Sequence, residues 1–316
     1  MNGKLILASA FVGFFGLLTY VSANNTSKSA PTVLTSATDN TASSNTNEQT
    51  QLPDSPLRSV PLPKDGQTAI GTIEEGLIKK TNDEHQAPIA SITKVITALV
   101  LLDKEPLEKG KKGEAVVFTE KDAQYFEEYF AKLGTVTAVE IGAQMSYYEG
   151  LQAMLLPSSN NMADTLVDHF FGSREDYLNY ANNFLKNHGL NDTVVADASG
   201  FSPDSKSTPS DLIALGQLAL RHPVIAEIVA QKTATLSVAG DVNNYNQLIN
   251  EPDVIGIKPG TTDEAGYCLL FAAKLPDSDG DLHTVIIATI GHKDRPLFLE
   301  TLHELLQSAR DTYANE

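Results

Sequence analysis

Ser91 and Lys94 stand three residues apart at the head of an apolar run, residues 95–102. On a helix that spacing puts two side chains on one face, one turn apart. A serine hydroxyl is a weak nucleophile until a neighbouring base takes its proton. A lysine is such a base when its surroundings leave it partly neutral. The pair is therefore a candidate acyl-transfer nucleophile with its base. The plainer reading is a helix-capping serine followed by a surface lysine. Chance supplies roughly one or two such spacings in a chain of this length.

Two further clusters follow in order. Ser158-Ser159-Asn160 offers a hydroxyl and an amide at a break between two helical stretches, and Lys258-Pro259-Gly260-Thr261 follows an apolar strand. The serine–any–asparagine spacing is cheap. Ser159-Asn160-Asn161 also fits it, and so does Ser43-Ser44-Asn45 in a low-complexity stretch. Burial and a second cation, Lys258, would both lower the pKa of Lys94.

The elements that must position these groups are legible. Residues 68–73 and 76–80 read as a β-hairpin. The run after Ser91 is apolar nearly all round and reads as a buried helix. Ser146 and Glu149 make a capping box for a helix to about residue 156. Helices follow over 160–170, over 173–187 with His188-Gly189 closing it, and from Thr208-Pro209 to about 220. Strands return at 254–258, 266–274 and 283–290, the last two forming an antiparallel hairpin, and 296–310 is a final helix. Strands at both ends with helices between predict an α+β domain whose antiparallel sheet is built from both chain ends. The site then falls in the cleft between sheet and helical block.

Composition narrows the field. The chain has 316 residues, 41% hydrophobic, with a net charge of −17. That argues against nucleic acid as a partner and against a polybasic membrane patch. The single cysteine, Cys268, rules out an internal disulfide and sits in an apolar stretch. The seven histidines form no metal-ligand spacing, and no metal or other cofactor is expected. Residues 1–23 read as a signal peptide, or as an N-terminal membrane anchor if uncleaved, with Val21-Ser22-Ala23 as the cleavage site. Residues 24–58, rich in Ser, Thr and Asn, read as a disordered linker. Residues 59–316 are the expected catalytic domain, working outside the cytoplasm, secreted or tethered.

The three clusters in this order resemble the serine D-alanyl-D-alanine carboxypeptidases, the low-molecular-mass penicillin-binding proteins. That family carries Ser-x-x-Lys, then Ser-x-Asn, then Lys-Thr-Gly or Lys-Ser-Gly. The flanks match as well: Ala87-Pro88-Ile89-Ala90 before Ser91, Gly256-Ile257 before Lys258, and Thr262-Asp263-Glu264-Ala265-Gly266-Tyr267 after Thr261. Asp197-Ala198-Ser199-Gly200-Phe201 resembles the family's segment after its helical block. A leucine eight residues after the motif serine favours Ser158 and Asn160, since Leu166 stands there.

The resemblance implies a β-lactamase/transpeptidase-like fold, with a five-stranded antiparallel sheet flanked by helices and an inserted helical subdomain. It implies that Ser91 forms an acyl-ester with a peptidoglycan stem peptide ending in D-Ala-D-Ala, and that β-lactams acylate the same serine. Lys94 is the base, and Ser158 relays a proton to the departing amine. Asn160 and Lys258 bind substrate, the latter near its terminal carboxylate. Gly260 lets the substrate lie close to the strand. The N–H groups of Ser91 and Thr261 form the oxyanion hole. Arg295 stands roughly where the family has an arginine, or is a solvated surface residue.

Pro259 departs from the pattern, because the family's hydroxyl at that position helps hold the substrate carboxylate. Thr261 or Thr262 would have to substitute. Three other readings follow. One is a class A-like β-lactamase, since Glu175-Asp176-Tyr177-Leu178-Asn179 matches its deacylating loop but lies in an expected helix. The others are a D,D-endopeptidase and a non-catalytic peptidoglycan-binding relative.

Overall fold

The computed structural model describes residues 55–315, which fall in one compact unit. The expected leader and nearly all of the expected linker lie outside the described residues. Leu57, at the end of that linker stretch, is fully buried, as is Val60 in the expected catalytic domain. The short 3-10 turn Pro56–Ser59 carries Leu57 into the core.

The first half runs through strands β1 (Gln67–Thr72), β2 (Gly76–Lys80) and β3 (Ala87–Pro88), then helix α1 (Thr93–Lys104). Next come β4 (Ala115–Val117), α2 (Glu120–Ala131), β5 (Gln144–Ser146), α3 (Tyr147–Leu155), α4 (Asn160–Phe171) and α5 (Arg174–Asn187). The second half holds β6 (Lys206–Ser207), α6 (Pro209–Arg221), α7 (Pro223–Val229), β7 (Thr233–Leu236) and β8 (Gly240–Asn243). It closes with β9 (Val254–Thr262), β10 (Gly266–Pro276), β11 (Leu282–His292) and α8 (Arg295–Ala314).

The main sheet has five strands in the order β2-β1-β11-β10-β9, every neighbouring pair antiparallel. Strand alternation splits the core in two. Leu270, Ile286 and Ala288 face the helical block with α1 and α6. Leu269, Phe271 and Ile287 face α8. Gly216 lets α6 lie close on the first face, where a β-carbon would stand 2.8 Å from Ile286 Cγ2. From Thr93 to Leu102 every residue of α1 is buried. It is the central helix of the domain, as its all-round apolar sequence dictates.

Local chemistry fixes the helix ends. The Glu149 N–H donates to Ser146 Oγ while Glu149 Oε2 accepts from the Ser146 N–H at 3.1 Å, closing the box on α3. Ser173 and Thr208 cap α5 and α6, the latter with Pro209 in the first turn. The sequence reading missed α2, although Asp122 Oδ2 accepts from the Thr119 N–H at 2.7 Å in a second capping box. It also missed α7 and the two-stranded ribbons. It ended β9 at residue 258, because proline and glycine usually terminate strands. The strand runs to Thr262, since β9 is a sheet edge and an edge tolerates Pro259. Among the described residues no single helix is long and apolar enough to cross a membrane.

Candidate active site

Ser91 does not cap a helix. It lies in the 3-10 turn Ala90–Ile92 that feeds α1, so Lys94 falls on the first turn of the buried helix. Lys94 Nζ is 2.9 Å from Ser91 Oγ, 2.7 Å from Asn160 Oδ1 and 2.7 Å from the Ser199 carbonyl oxygen. Three acceptors match the three N–H groups of an ammonium. When the amine is neutral, the Asn160 and Ser199 oxygens hold its two N–H groups, and its lone pair is left facing the Ser91 hydroxyl. Lys94 is fully buried, whereas Ser91 is only half-buried and reaches toward solvent.

Burial draws the Lys94 pKa down to about 7, against the pull of the Asp197 and Asp164 carboxylates. Lys258 is also fully buried, and its pKa is lowered well below the ordinary lysine value, first by burial and then by the charge of Lys94. Repulsion between two ammonium groups is mutual, so each lysine disfavours the charged form of the other, with burial the larger cause at both. The hydrogen bond from Lys258 Nζ goes to the carbonyl of its own neighbour Pro259, at 3.3 Å.

The second cluster follows the helix break. Asn160 opens α4, and its backbone N–H donates to the Thr135 carbonyl at 2.8 Å. Asn161, the competing asparagine, turns away from Lys94. Its Oδ1 accepts from the Thr137 N–H, and its Nδ2 donates to the Thr137 carbonyl, both at 3.0 Å. Ser158 is buried and its backbone is left-handed, with φ +66°.

Two other non-glycine residues, Ala90 (φ +46°) and Leu133 (φ +59°), share that conformation among the described residues. Ala90 precedes Ser91. Leu133 precedes Gly134, where a β-carbon would stand 2.8 Å from Asn160 Nδ2. Left-handed backbone at side-chain-bearing residues costs roughly 1–3 kcal/mol each and persists where surrounding structure enforces it. All three border this one cluster.

Strand β9 closes the site. Lys258 pairs with Leu270 and Gly260 with Cys268, so both face the helical block. Pro259 pairs with Leu269 and Thr261 with Tyr267, on the α8 side. Gly260 also has a packing reason: a β-carbon there would lie 2.7 Å from the Ile89 carbonyl oxygen and 3.0 Å from the Ser91 nitrogen. Glycine is needed for the strand to touch the Ser91 turn itself. Thr261 is exposed beside this contact, its Oγ1 donating to the Gly260 carbonyl at 2.8 Å. The Thr262 hydroxyl accepts from the Ala265 N–H and belongs to the β9–β10 turn. Arg295 is exposed on the first turn of α8 and makes no hydrogen bond or ion pair with the cluster among the described residues. Glu175 is exposed on the first turn of α5, where an acidic residue suits the helix N-terminus.

A polar layer behind Lys94 escaped the sequence reading. Tyr129 Oη donates to Asp164 Oδ2 at 2.6 Å and lies 3.3 Å from Ser199 Oγ, which donates to Asp197 Oδ2 at 2.9 Å. The Asx-turn chemistry of Asp197-Ala198-Ser199-Gly200 was visible as a turn signal. Nothing local showed that this turn faces Lys94.

Two comparisons place this architecture. The Streptomyces K15 DD-transpeptidase superposes with a TM-score of 0.69, at 22% identity, over 79% of this chain and 98% of its own. The fold is therefore the β-lactamase/transpeptidase-like one, with its antiparallel five-stranded sheet. The family model of D-alanyl-D-alanine carboxypeptidases matches residues 72–290, and the chain belongs to that family, Peptidase S11. The D-alanyl-D-alanine carboxypeptidase DacF of Bacillus subtilis is 29% identical over 63% of this chain. A D-alanyl-D-alanine endopeptidase of Pseudomonas aeruginosa is 27% identical over 64%. The matches span 50% and 64% of those relatives' own lengths.

Proposed function

We propose that this chain is a serine D-Ala-D-Ala carboxypeptidase that removes the terminal D-alanine from peptidoglycan stem peptides outside the cytoplasm, secreted or tethered by its N-terminal segment. The observation that carries the reading is the three-way hold on Lys94 Nζ by Ser91, Asn160 and Ser199. It aims the Lys94 nitrogen at a half-exposed serine.

The chemistry follows from that aim. Ser91 Oγ attacks the carbonyl carbon between the last two D-alanines while Lys94 takes its proton. The carbonyl oxygen becomes an oxyanion, facing the backbone N–H groups of Ser91 and Thr261, on the two segments that Gly260 brings together. One such donor is worth about 3–4 kcal/mol in the transition state. Collapse breaks the C–N bond, and the leaving amine takes a proton through Ser158. D-Alanine departs, leaving an ester on Ser91. Water then attacks the ester with Lys94 again as base, and the Ser91 hydroxyl is restored. Lys258 supplies positive charge to the substrate's terminal carboxylate, whose approach offsets the burial that disfavours the ammonium. β-Lactams acylate Ser91 by the same first step.

Intact-mass analysis after penicillin treatment tests this, with Ser91→Ala as control, alongside D-alanine release from a peptide ending in D-Ala-D-Ala. An adduct on the parent alone, with D-alanine release, is expected. Neither adduct nor D-alanine sinks the proposal. The exposed position of Glu175 speaks against a class A-like β-lactamase, which would hydrolyse penicillin quickly. A D,D-endopeptidase is the second reading, favoured by the similarity to the Pseudomonas endopeptidase. Cleavage of cross-linked muropeptides faster than of D-Ala-D-Ala peptides would select it.

A further inference from the structure

The Asp197 carboxylate is 2% exposed and accepts five hydrogen bonds. Oδ1 takes the Gly200 N–H at 3.0 Å and the Ser205 hydroxyl at 2.6 Å. Oδ2 takes the Phe201 N–H at 2.8 Å, the Ser202 N–H at 3.1 Å and the Ser199 hydroxyl at 2.9 Å. All five donors are neutral and come from residues 199–205, so the chain wraps once around this side chain. An ionised carboxylate suits the arrangement because it offers two acceptor oxygens and no donor. An asparagine would turn an NH₂ onto one set of donors.

The turn so built makes three contacts, two with the Ser91–Lys94 segment and one with the polar layer behind it. Its Ser199 carbonyl accepts from Lys94 Nζ at 2.7 Å. Its Gly200, at φ +73°, lies against the backbone of Ala90, the residue before Ser91. Its Phe201 ring meets Tyr129 edge-on at 5.5 Å, and Tyr129 bonds Asp164.

We propose that Asp197 is a positioning residue for acylation: its buried carboxylate folds the 197–205 turn that orients the Lys94 amine and braces the Ser91 turn. The same carboxylate favours the Lys94 ammonium through its charge. This rests on reading Ser91 and Lys94 as the acylating pair. The charged and titratable groups around Lys94 are Asp197 from this turn, Asp164 from α4, Tyr129 from α2, Tyr177 from α5 and Lys258 from β9. Of these, Asp197 is the one whose carboxylate folds the turn that carries the Ser199 carbonyl.

The test is the second-order rate of penicillin adduct formation on the full chain, followed by intact mass from about pH 5 to about pH 9, a span that brackets a base titrating near neutrality. Asp197→Asn is expected to slow acylation about tenfold or more. It should also move the acidic limb of the profile to lower pH, because losing a nearby negative charge disfavours the ammonium. A role confined to folding would lower Tm and leave the limb in place. A profile superimposable on the parent's, or a limb that does not move, overturns the proposal.

If Asp197→Asn does not fold, Ser199→Ala with Ser205→Ala loosens the same turn and keeps the charge. It is expected to slow acylation with the limb unmoved, and an unchanged rate overturns the proposal. A parent chain that forms no Ser91 adduct would instead sink the underlying reading.

Discussion

A β-carbon on Gly200 would stand 1.8 Å from the carbonyl oxygen of Ala90. No side chain fits there, and the obstacle is backbone rather than a flexible tip. Gly200 also holds φ +73°, a conformation side-chain-bearing residues adopt at a cost of roughly 1–2 kcal/mol. The two segments therefore meet backbone to backbone, 110 residues apart in the chain, one residue short of Ser91. Gly200→Ala should lower stability by about 2–5 kcal/mol through overpacking and strain together. In whatever fraction stays folded, displacement of Ser91 by about 1 Å should cost about 100-fold in acylation. Thermal melts together with penicillin adduct kinetics check both numbers.

Burial sets the pH profile. In the proposed mechanism only neutral Lys94 accepts the Ser91 proton, and burial draws its pKa down to about 7. Acylation should therefore rise with pH through about 7 and level off above it, until other groups titrate. Lys94→Arg should be inactive across that range, because a guanidinium does not deprotonate in proteins. A parent rate that stays flat from acidic to alkaline pH would remove Lys94 as the base.

The adjacent asparagines should separate cleanly. Asn161→Ala loses a clamp on both backbone groups of Thr137 and should cost about 1–3 kcal/mol in urea denaturation, with the acidic limb unmoved. Asn160→Ala removes an oxygen that steers Lys94 and should slow acylation about 100-fold with little change in stability. Reversed outcomes would move the second motif to Ser159 and Asn161.

In the proposed binding mode Pro259 leaves the substrate carboxylate one hydroxyl short, and Thr261 is the exposed hydroxyl two residues further along β9. Thr261→Val should raise KM for a D-Ala-D-Ala peptide about tenfold or more, the size of one hydrogen bond to a charged group. Pro259→Thr should lower KM and should recover part of the Thr261→Val loss in the double variant. Additive effects in that cycle would show that the two positions do not share the carboxylate.

Much of this molecule was written locally. Capping residues such as Ser146, Ser173 and Thr208 mark helix starts in the sequence, because the donors they satisfy lie within four residues. The apolar sweep of α1 and the alternation of β10 and β11 likewise announce buried elements. The three motifs were visible because each is a short run of residues.

What tertiary structure alone decided is how those runs meet. Lys94 bonds Asn160 and Ser199, 66 and 105 positions away. Its pKa depends on burial by segments that no local window contains. The same holds for Asp197, which reads as an ordinary turn residue until its turn is seen against Ala90. It holds for Gly260 too, whose missing side chain makes room for the Ile89 carbonyl and the Ser91 nitrogen. Sequence supplied the functional groups. Packing between distant segments set their distances and charge states, since electrostatic and steric effects act through space and not along the chain.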